Sequence, residues 1–249
     1  MIIENIRTIL FDAGFTLIRI SPSLGEVYAR VAAQLGAPFS AERFQEVGIR
    51  VWNRERSPLH APSLESSDAI ERRFWWDYNR IIVRELEREG LRVDFEPWFE
   101  TLFEIFGQPE TWAPLDGAAR TLGELNRRGY RLGVVSNWDS RLQRVLDGLD
   151  LTRHFRMVLT SAQAGYRKPS PRIFAQALGR MDASAAESLH VGDSEEDDVG
   201  GALAAGLQAI RLKPGRRLAG RAVTSAASHV IGALPELLDL LGAPGSRTR

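Results

Sequence analysis

The sequence predicts an α/β fold: a parallel-sheet core with helices on both faces, carrying an inserted all-helical domain. Three observations predict it. Short β-branched or apolar runs of strand length recur along the chain. From about residue 113 onward they alternate with helical patterns, the order that builds a parallel sheet covered on both sides. Residues 20–112 break that alternation with helical patterns and no convincing strand. The expected division is a core of residues 1–19 and 113–249 and a helical insert of residues 20–112.

Taken in order, the first strand is IRTILF at 6–11, which runs directly into Asp12. The insert reads as helices near 23–35, 40–56, 66–89 and 95–106, separated by LGAPFS, SPLHAPS and GLRVDFEP, stretches rich in helix breakers. Five of the six tryptophans (Trp52, Trp75, Trp76, Trp98 and Trp112) fall in it and are expected to pack a small helical core. A helix over 117–128 is opened by Asp116, and a strand at 131–136 (RLGVVS) follows. Next come a helix at 139–149, a strand at 157–161 and a helix at 171–180, where Pro171 suits a first turn. A strand at 188–192, a helix at 195–205 ending at Gly206 and a strand at 209–212 complete the pattern. The ending GAPGSRTR reads as a polar tail.

Composition narrows the function classes. With 249 residues and 44% hydrophobic content the chain can bury a substantial core. Lys plus Arg equals Asp plus Glu at 32 each, so no charge bias points to nucleic acid or an anionic membrane, and neither is expected as a partner. The absence of cysteine excludes disulfides, thiolate catalysis and cysteine-based metal sites. MIIENIRTILFD lacks the basic and apolar regions of a secretory leader, and no run approaches the roughly 18 apolar residues of a membrane span. The expected location is cytoplasmic.

In open parallel sheets ligands bind beyond the carboxyl ends of the strands, where strand order reverses. The first strand ends in Asp12, the second in Ser136-Asn137 and the fourth in Gly192-Asp193-Ser194, while AGYRKPSPRIF places Lys168 in the loop after the third. Singly, each has an ordinary explanation: a cap, a loop polar pair, a solvated lysine, and an acidic helix start favoured by the macrodipole. Their conjunction at four strand ends is what points to chemistry.

In ILFDAGFTL, GVVSNWD, GYRKPSPRIF and LHVGDSEEDDVGGALAAG the chain resembles the haloacid dehalogenase-like hydrolase superfamily, in the branch with a helical cap inserted after the first motif. The motifs stand in the family's order over about 1–19 and 113–213; the insert matches in position and helical character only. The resemblance implies a Rossmann-like core and a phosphatase acting on a small phosphate ester. Asp12 would be the nucleophile, forming an aspartyl phosphate. Mg²⁺ would be held by Asp12, Asp193 and the Gly14 carbonyl, with Asp198 on the metal or its waters. Lys168, the Ser136 hydroxyl and the Asn137 backbone N–H would hold the phosphoryl oxygens. Trp138, next in sequence, is a candidate for substrate contact against an alternative packing role. Glu195, Glu196 and Asp197 are expected to be solvated helix-start residues.

One position departs from the pattern. The family's phosphatases carry Asp-x-Asp, whose second aspartate protonates the leaving oxygen and then activates water; here that residue is Gly14. Its backbone carbonyl still serves a metal, but acid-base catalysis worth roughly 10²–10⁴-fold is lost. Three readings stay open: a Mg²⁺-dependent phosphatase with weakened turnover, a catalytically weak protein that binds phosphate or a partner, and a 2-haloacid dehalogenase, whose halide leaves without a proton. The acidic fourth motif argues against the last, because clustered carboxylates repel unless a cation is bound. Among the histidines, His190 is expected in the core, His154 and His229 lie away from the site, and only His60 in the insert is positioned where it could stand in for the missing acid.

Overall fold

A computed structural model describes residues 3–59, 64–213 and 225–242, with side chains omitted for 55–59. His60 and most of the terminal GAPGSRTR lie outside them. Eight strands are present among the described residues: β1 Thr8–Phe11, β2 Ile18–Ile20, β3 Trp112–Pro114, β4 Arg131–Ser136, β5 Met157–Thr160, β6 Ser188–Gly192, β7 Gln208–Leu212 and β8 His229–Ile231. Six form a parallel sheet in the order β5-β4-β1-β6-β7-β8. β1 is flanked by β4 and β6, with Phe11 in register with both Val134 and Val191. The chain fills one side of β1 with β4 and β5, then crosses to β6 on the other. The strand-order reversal therefore falls at β1, and Asp12 follows it directly.

Both faces of this sheet are buried, as its sequence requires. Ile9 and Phe11 point into one apolar cluster with Val134, Leu122 and Leu146, whereas Leu10 points into the other with Val135, Phe174 and Ala177. The first face is covered by α5 (Ala118–Arg127), α6 (Leu142–Gly148) and the short α10 (Leu237–Leu240), the second by α8 (Pro171–Arg180) and α9 (Gly201–Ala204). The fold is thus the predicted α/β sheet with helices on both sides.

Between β2 and β3 lie α1 (Leu24–Gln34), α2 (Ala41–Leu59), α3 (Asp68–Glu87) and α4 (Phe95–Ile105), with an apolar core of their own. Trp98 is its centre, edge-on to Tyr28 at 5.3 Å and stacked on Phe44 at 5.9 Å. Trp52, Trp75 and Trp76 are only partly buried, and Trp112 packs with the sheet's cluster instead. No helix among the described residues is long and apolar enough to cross a membrane.

Four differences from the sequence expectation have local causes. β2 and β3 pair antiparallel, Ile18 with Pro114 and Ile20 with Trp112, in strands of three residues that are too short to show a period. β8 likewise escapes a pattern search at three residues. Asp116 does not open α5: Gly117, in the left-handed region at φ 80°, holds the cap position without a side-chain bond. The helix expected at 139–149 starts only at Leu142, because Arg141 folds back onto Asp139.

Candidate active site

Four local structures deliver the site. At the end of β1 the Asp12 N–H donates to Val191 O at 2.9 Å, so the sheet ladder continues into the aspartate. Ser136, the last residue of β4, donates to Asp12 Oδ1 at 2.8 Å. After β5, α7 (Ser161–Ala164) is opened by a Thr160–Gln163 capping box and closed by Gly165 at φ 77°, which turns the chain toward Lys168. There Asn137 and Lys168 bond reciprocally, Lys168 N–H to Asn137 Oδ1 at 2.7 Å and Asn137 Nδ2 to Lys168 O at 3.0 Å. The amide of Asn137 thereby fixes the loop that carries the lysine.

The fourth structure follows β6. Ser194 caps a wide π-type turn, Glu195–Gly200, in which both Asp198 N and Val199 N reach Ser194 O. This turn folds Asp198 back against Gly192, where a Cβ would lie 2.1 Å from Asp198 Cγ. Only glycine admits that approach.

These elements bring Asp12, Ser136, Lys168, Asp193 and Asp198 together. Lys168, 2% exposed, donates from Nζ to Asp12 Oδ1 at 2.7 Å and to Asp198 Oδ1 at 2.5 Å. Asp198 also takes Ser194 N–H on Oδ2 at 2.9 Å and contacts His190 Nε2 through Oδ1 at 2.9 Å. Burial disfavours a charge on His190, which is therefore neutral; geometry assigns its proton to Nε2, and Nδ1 has no partner among the described residues. Oxygens of Asp12, Asp193 and Asp198 lie within 4.8 Å of one another. Three carboxylates thus face one ammonium.

The electrostatics follow from that imbalance. Burial opposes the charge on Asp198, but Lys168 and then His190 outweigh it and hold its pKa low. Burial likewise opposes the charge on Lys168, and Asp12 and Asp198 overcome it, so the lysine stays protonated. Asp12 is shifted up by burial and by Asp198, with Lys168 only partly offsetting them. For Asp193 burial, then Asp12 and Asp198, outweigh the opposing effect of Lys168 and push it up to about 7. The donor set, hard carboxylate oxygens with excess negative charge, fits a divalent cation such as Mg²⁺.

Gly14 is half-buried and outside the left-handed region. Phe15 takes that conformation instead, at φ 57°, in a turn whose carbonyl Ala13 O accepts from Leu17 N and Ile18 N. A Cβ on Gly14 would stand 3.4 Å from Trp138 Cζ3. Trp138 both packs, 4.9 Å from the Trp112 ring, and lines a cavity of about 670 Å³ that runs from Asp12 into the helical insert.

Several residues at the site were not singled out in the sequence. Glu71, on α3 and 2% exposed, accepts from Ser66 Oγ at 2.7 Å and from Ser161 Oγ of α7 at 2.9 Å. Beside it, Ser66 N bonds Gly165 O and Arg167 N bonds Leu64 O, so the insert pairs strand-like with the loop just before Lys168. Arg141 pairs with Asp139 through two bonds and stacks on Phe103 of α4 at 3.4 Å. Glu195 is no solvated helix-start residue: it takes Arg211, Ser225 Oγ and Ala226 N–H, anchoring the 225–226 segment to β7. Truncating Glu71 to alanine removes the acceptor of two buried hydroxyls. A loss of about 1–3 kcal/mol in urea denaturation is expected, largely avoided in Glu71→Gln, which keeps an acceptor oxygen.

An aspartate at the switch point of a parallel sheet, a buried lysine and an acidic cluster are suited to hydrolysis by carboxylate chemistry. The family model for haloacid dehalogenase-like hydrolases matches residues 6–206. Human haloacid dehalogenase-like hydrolase domain-containing protein 3 is 36% identical over 208 residues, 83% of this chain and 81% of that protein. Ribulose-1,5-bisphosphate 5-phosphatase of Halopiger xanaduensis is 37% identical over 131 residues, 50% of this chain and 55% of that one. A crystal structure of a dehalogenase with an intermediate complex superposes with a TM-score of 0.70 at 23% identity, covering 96% of this chain and 99% of that one. The chain belongs to the haloacid dehalogenase-like hydrolase family.

Proposed function

We propose that this hydrolase is a Mg²⁺-dependent phosphatase acting on a small phosphate monoester, with residues 20–112 serving as a cap domain over a core of 1–19 and 113–249. The observation that carries the reading is the buried excess of carboxylates around Lys168, an arrangement a cation relieves and a metal-free dehalogenase has no use for. The phosphatase named among the relatives supports it.

In this reading the bonds from Ser136 and Lys168 both fall on Asp12 Oδ1, and Oδ2 is the oxygen that attacks phosphorus. The bond from phosphorus to the ester oxygen breaks, leaving an aspartyl phosphate that water then hydrolyses. Lys168 and Ser136 hold charge that moves onto the phosphoryl oxygens. Asp12, Asp193 and the Gly14 carbonyl would hold the metal. Asp198, whose oxygens are already taken by Lys168, His190 and Ser194, would act on the metal's waters. When bound, Mg²⁺ neutralises the repulsion between Asp12 and the phosphate dianion. No side chain at position 14 protonates the leaving oxygen.

The test is a melting curve. Millimolar Mg²⁺ is expected to raise the Tm of the wild type, and Asp193→Asn to remove most of that shift. Equal shifts in both proteins would overturn the metal site.

A further inference from the structure

We propose that the alcohol released at this site is an aromatic hydroxyl: the substrate is an aryl phosphate monoester whose ring lies against Trp138, over Gly14. The inference rests on the phosphatase reading and adds to it the class of leaving group.

The first observation is at position 14. Where a side chain on residue 14 would project, the indole of Trp138 stands instead, its Cζ3 3.4 Å from the virtual Cβ. The Trp138 backbone N–H donates to Ser161 Oγ at 3.0 Å, and its indole packs against the Trp112 ring. The site thus presents a flat apolar surface beside the ester oxygen and no acid. An alkoxide leaves poorly without a proton, whereas a phenolate leaves unaided, so the lost acid-base contribution of roughly 10²–10⁴-fold falls mainly on alkyl esters.

The second observation is the cavity. Its volume of about 670 Å³ is that of a site for a ligand with several rings, far larger than a phosphate with a two- or three-carbon acid requires. Beyond Trp138 its walls include Trp52, Phe74, Trp75, Phe103 and Trp112, and the exposed Phe15 and Ile49 also line it. Several polar groups in those walls are already engaged, Glu71 by two serines, Arg141 by Asp139, Gln45 Oε1 by Gly25 N–H and the Tyr78 hydroxyl by Gly48 O, while Asn79 Oδ1 has no partner among the described residues. A polyhydroxylated alcohol would strip several hydroxyls of water for few open partners. A planar apolar group loses nothing and gains ring contacts.

The chemistry balances without a further reactant. Asp12 Oδ2 forms the bond to phosphorus, the bond from phosphorus to the aryl oxygen breaks, and its electron pair leaves on the phenolate, which is protonated in solvent. Water then adds to phosphorus, the aspartyl bond breaks, and the water's proton passes to the released phosphate or to solvent.

The experiment compares kcat/KM of the full chain with Mg²⁺ on 2-naphthyl phosphate, decyl phosphate, glycerol 3-phosphate and acetyl phosphate. Acetyl phosphate has a good leaving group and no ring, so it reports the phosphatase chemistry alone. Naphthyl phosphate is expected to exceed both alkyl esters by about 10²-fold or more. Trp138→Ala is expected to lower the naphthyl-to-acetyl ratio by about 2–10-fold. It should also weaken, by a similar factor in calorimetry, the binding of 2-naphthylphosphonate, which has no ester bond. Naphthyl phosphate no better than the alkyl esters, while acetyl phosphate is hydrolysed, overturns the inference and leaves the phosphatase reading standing. Failure on all four compounds removes that reading and the inference with it.

Discussion

Gly14→Asp is expected to raise steady-state hydrolysis of alkyl phosphates by about 10²–10⁴-fold, the contribution of a positioned acid-base group. That corresponds to roughly 3–5 kcal/mol of barrier. The backbone offers no obstacle, since Gly14 is outside the left-handed region and the strained residue is its neighbour Phe15. A Cβ would meet Trp138 Cζ3 at 3.4 Å, an ordinary contact, so the carboxylate has to extend along the indole and not through it. Aryl esters should gain less in the first step, because their leaving group needs no proton, and more in the second, where aspartate activates water. A burst of phenol followed by slow turnover is therefore expected in the wild type and not in the variant. Adding Asp12→Asn should remove the gain, which would place both carboxylates in one mechanism. A folded, Mg²⁺-stabilised Gly14→Asp protein that hydrolyses no ester, alongside an inactive wild type, favours a phosphate- or partner-binding role.

Lys168→Met is expected to destabilise the protein by about 3–5 kcal/mol at neutral pH in the presence of chelator, because it leaves buried carboxylates without their cation. Methionine conserves the stem, so the loss reports charge and not volume. The pH dependence has a definite sign. Lys168 is the principal group holding the pKa of Asp198 below its unfolded value, so the stability this confers is present above the unfolded pKa and lost as pH falls through the folded one. In the variant the carboxylates protonate more readily, and the gap to wild type should narrow on acidification. Urea denaturation at pH 7 and at pH 3, below the ordinary aspartate value of 3.8, measures it; a gap as wide at pH 3 as at pH 7 would mean the ion pairs contribute little.

The legible part of the sequence was the part written in strong local signals. Runs such as RLGVVS and SLHVG have no other use in a folded chain than as buried strands, and both lie within one residue of their predicted positions. Asp12, Ser136, Lys168 and Asp193 could be singled out because they end such runs or follow them at short range, and the structure brings them together. Tertiary pairing hid the rest. Glu71 sits in SSDAIERR, which reads as a solvated helix face, and only the fold brings Ser161 to it from 90 residues away. His190 was expected in the core and is there, fully buried, but nothing local shows that it bonds Asp198. Trp138 reads first as a packing residue and only second as a substrate contact from its sequence, and the structure gives its ring a packing partner and a cavity-facing position. Strands of three residues and a π-type turn have no sequence signature of their own, since both are held by neighbours.

The ribbon of β2 and β3 makes the insert a cassette. Ile20 pairs with Trp112, and Ser21 N bonds Thr111 O at 2.9 Å, so some ninety residues leave and re-enter the sheet domain through a doorway two strands wide. A two-residue Asn-Gly turn can close such a doorway. A shortened chain joined there keeps every strand of the parallel sheet, Asp12, Ser136, Lys168 and Asp198 among its residues, while Trp52, Phe74 and Phe103 depart together. On the proposed division, a foreign insert grafted between Ser21 and Thr111 would change what the protein accepts, provided that it also supplies partners for Ser161 and the loop before Lys168, which Glu71, Leu64 and Ser66 hold here.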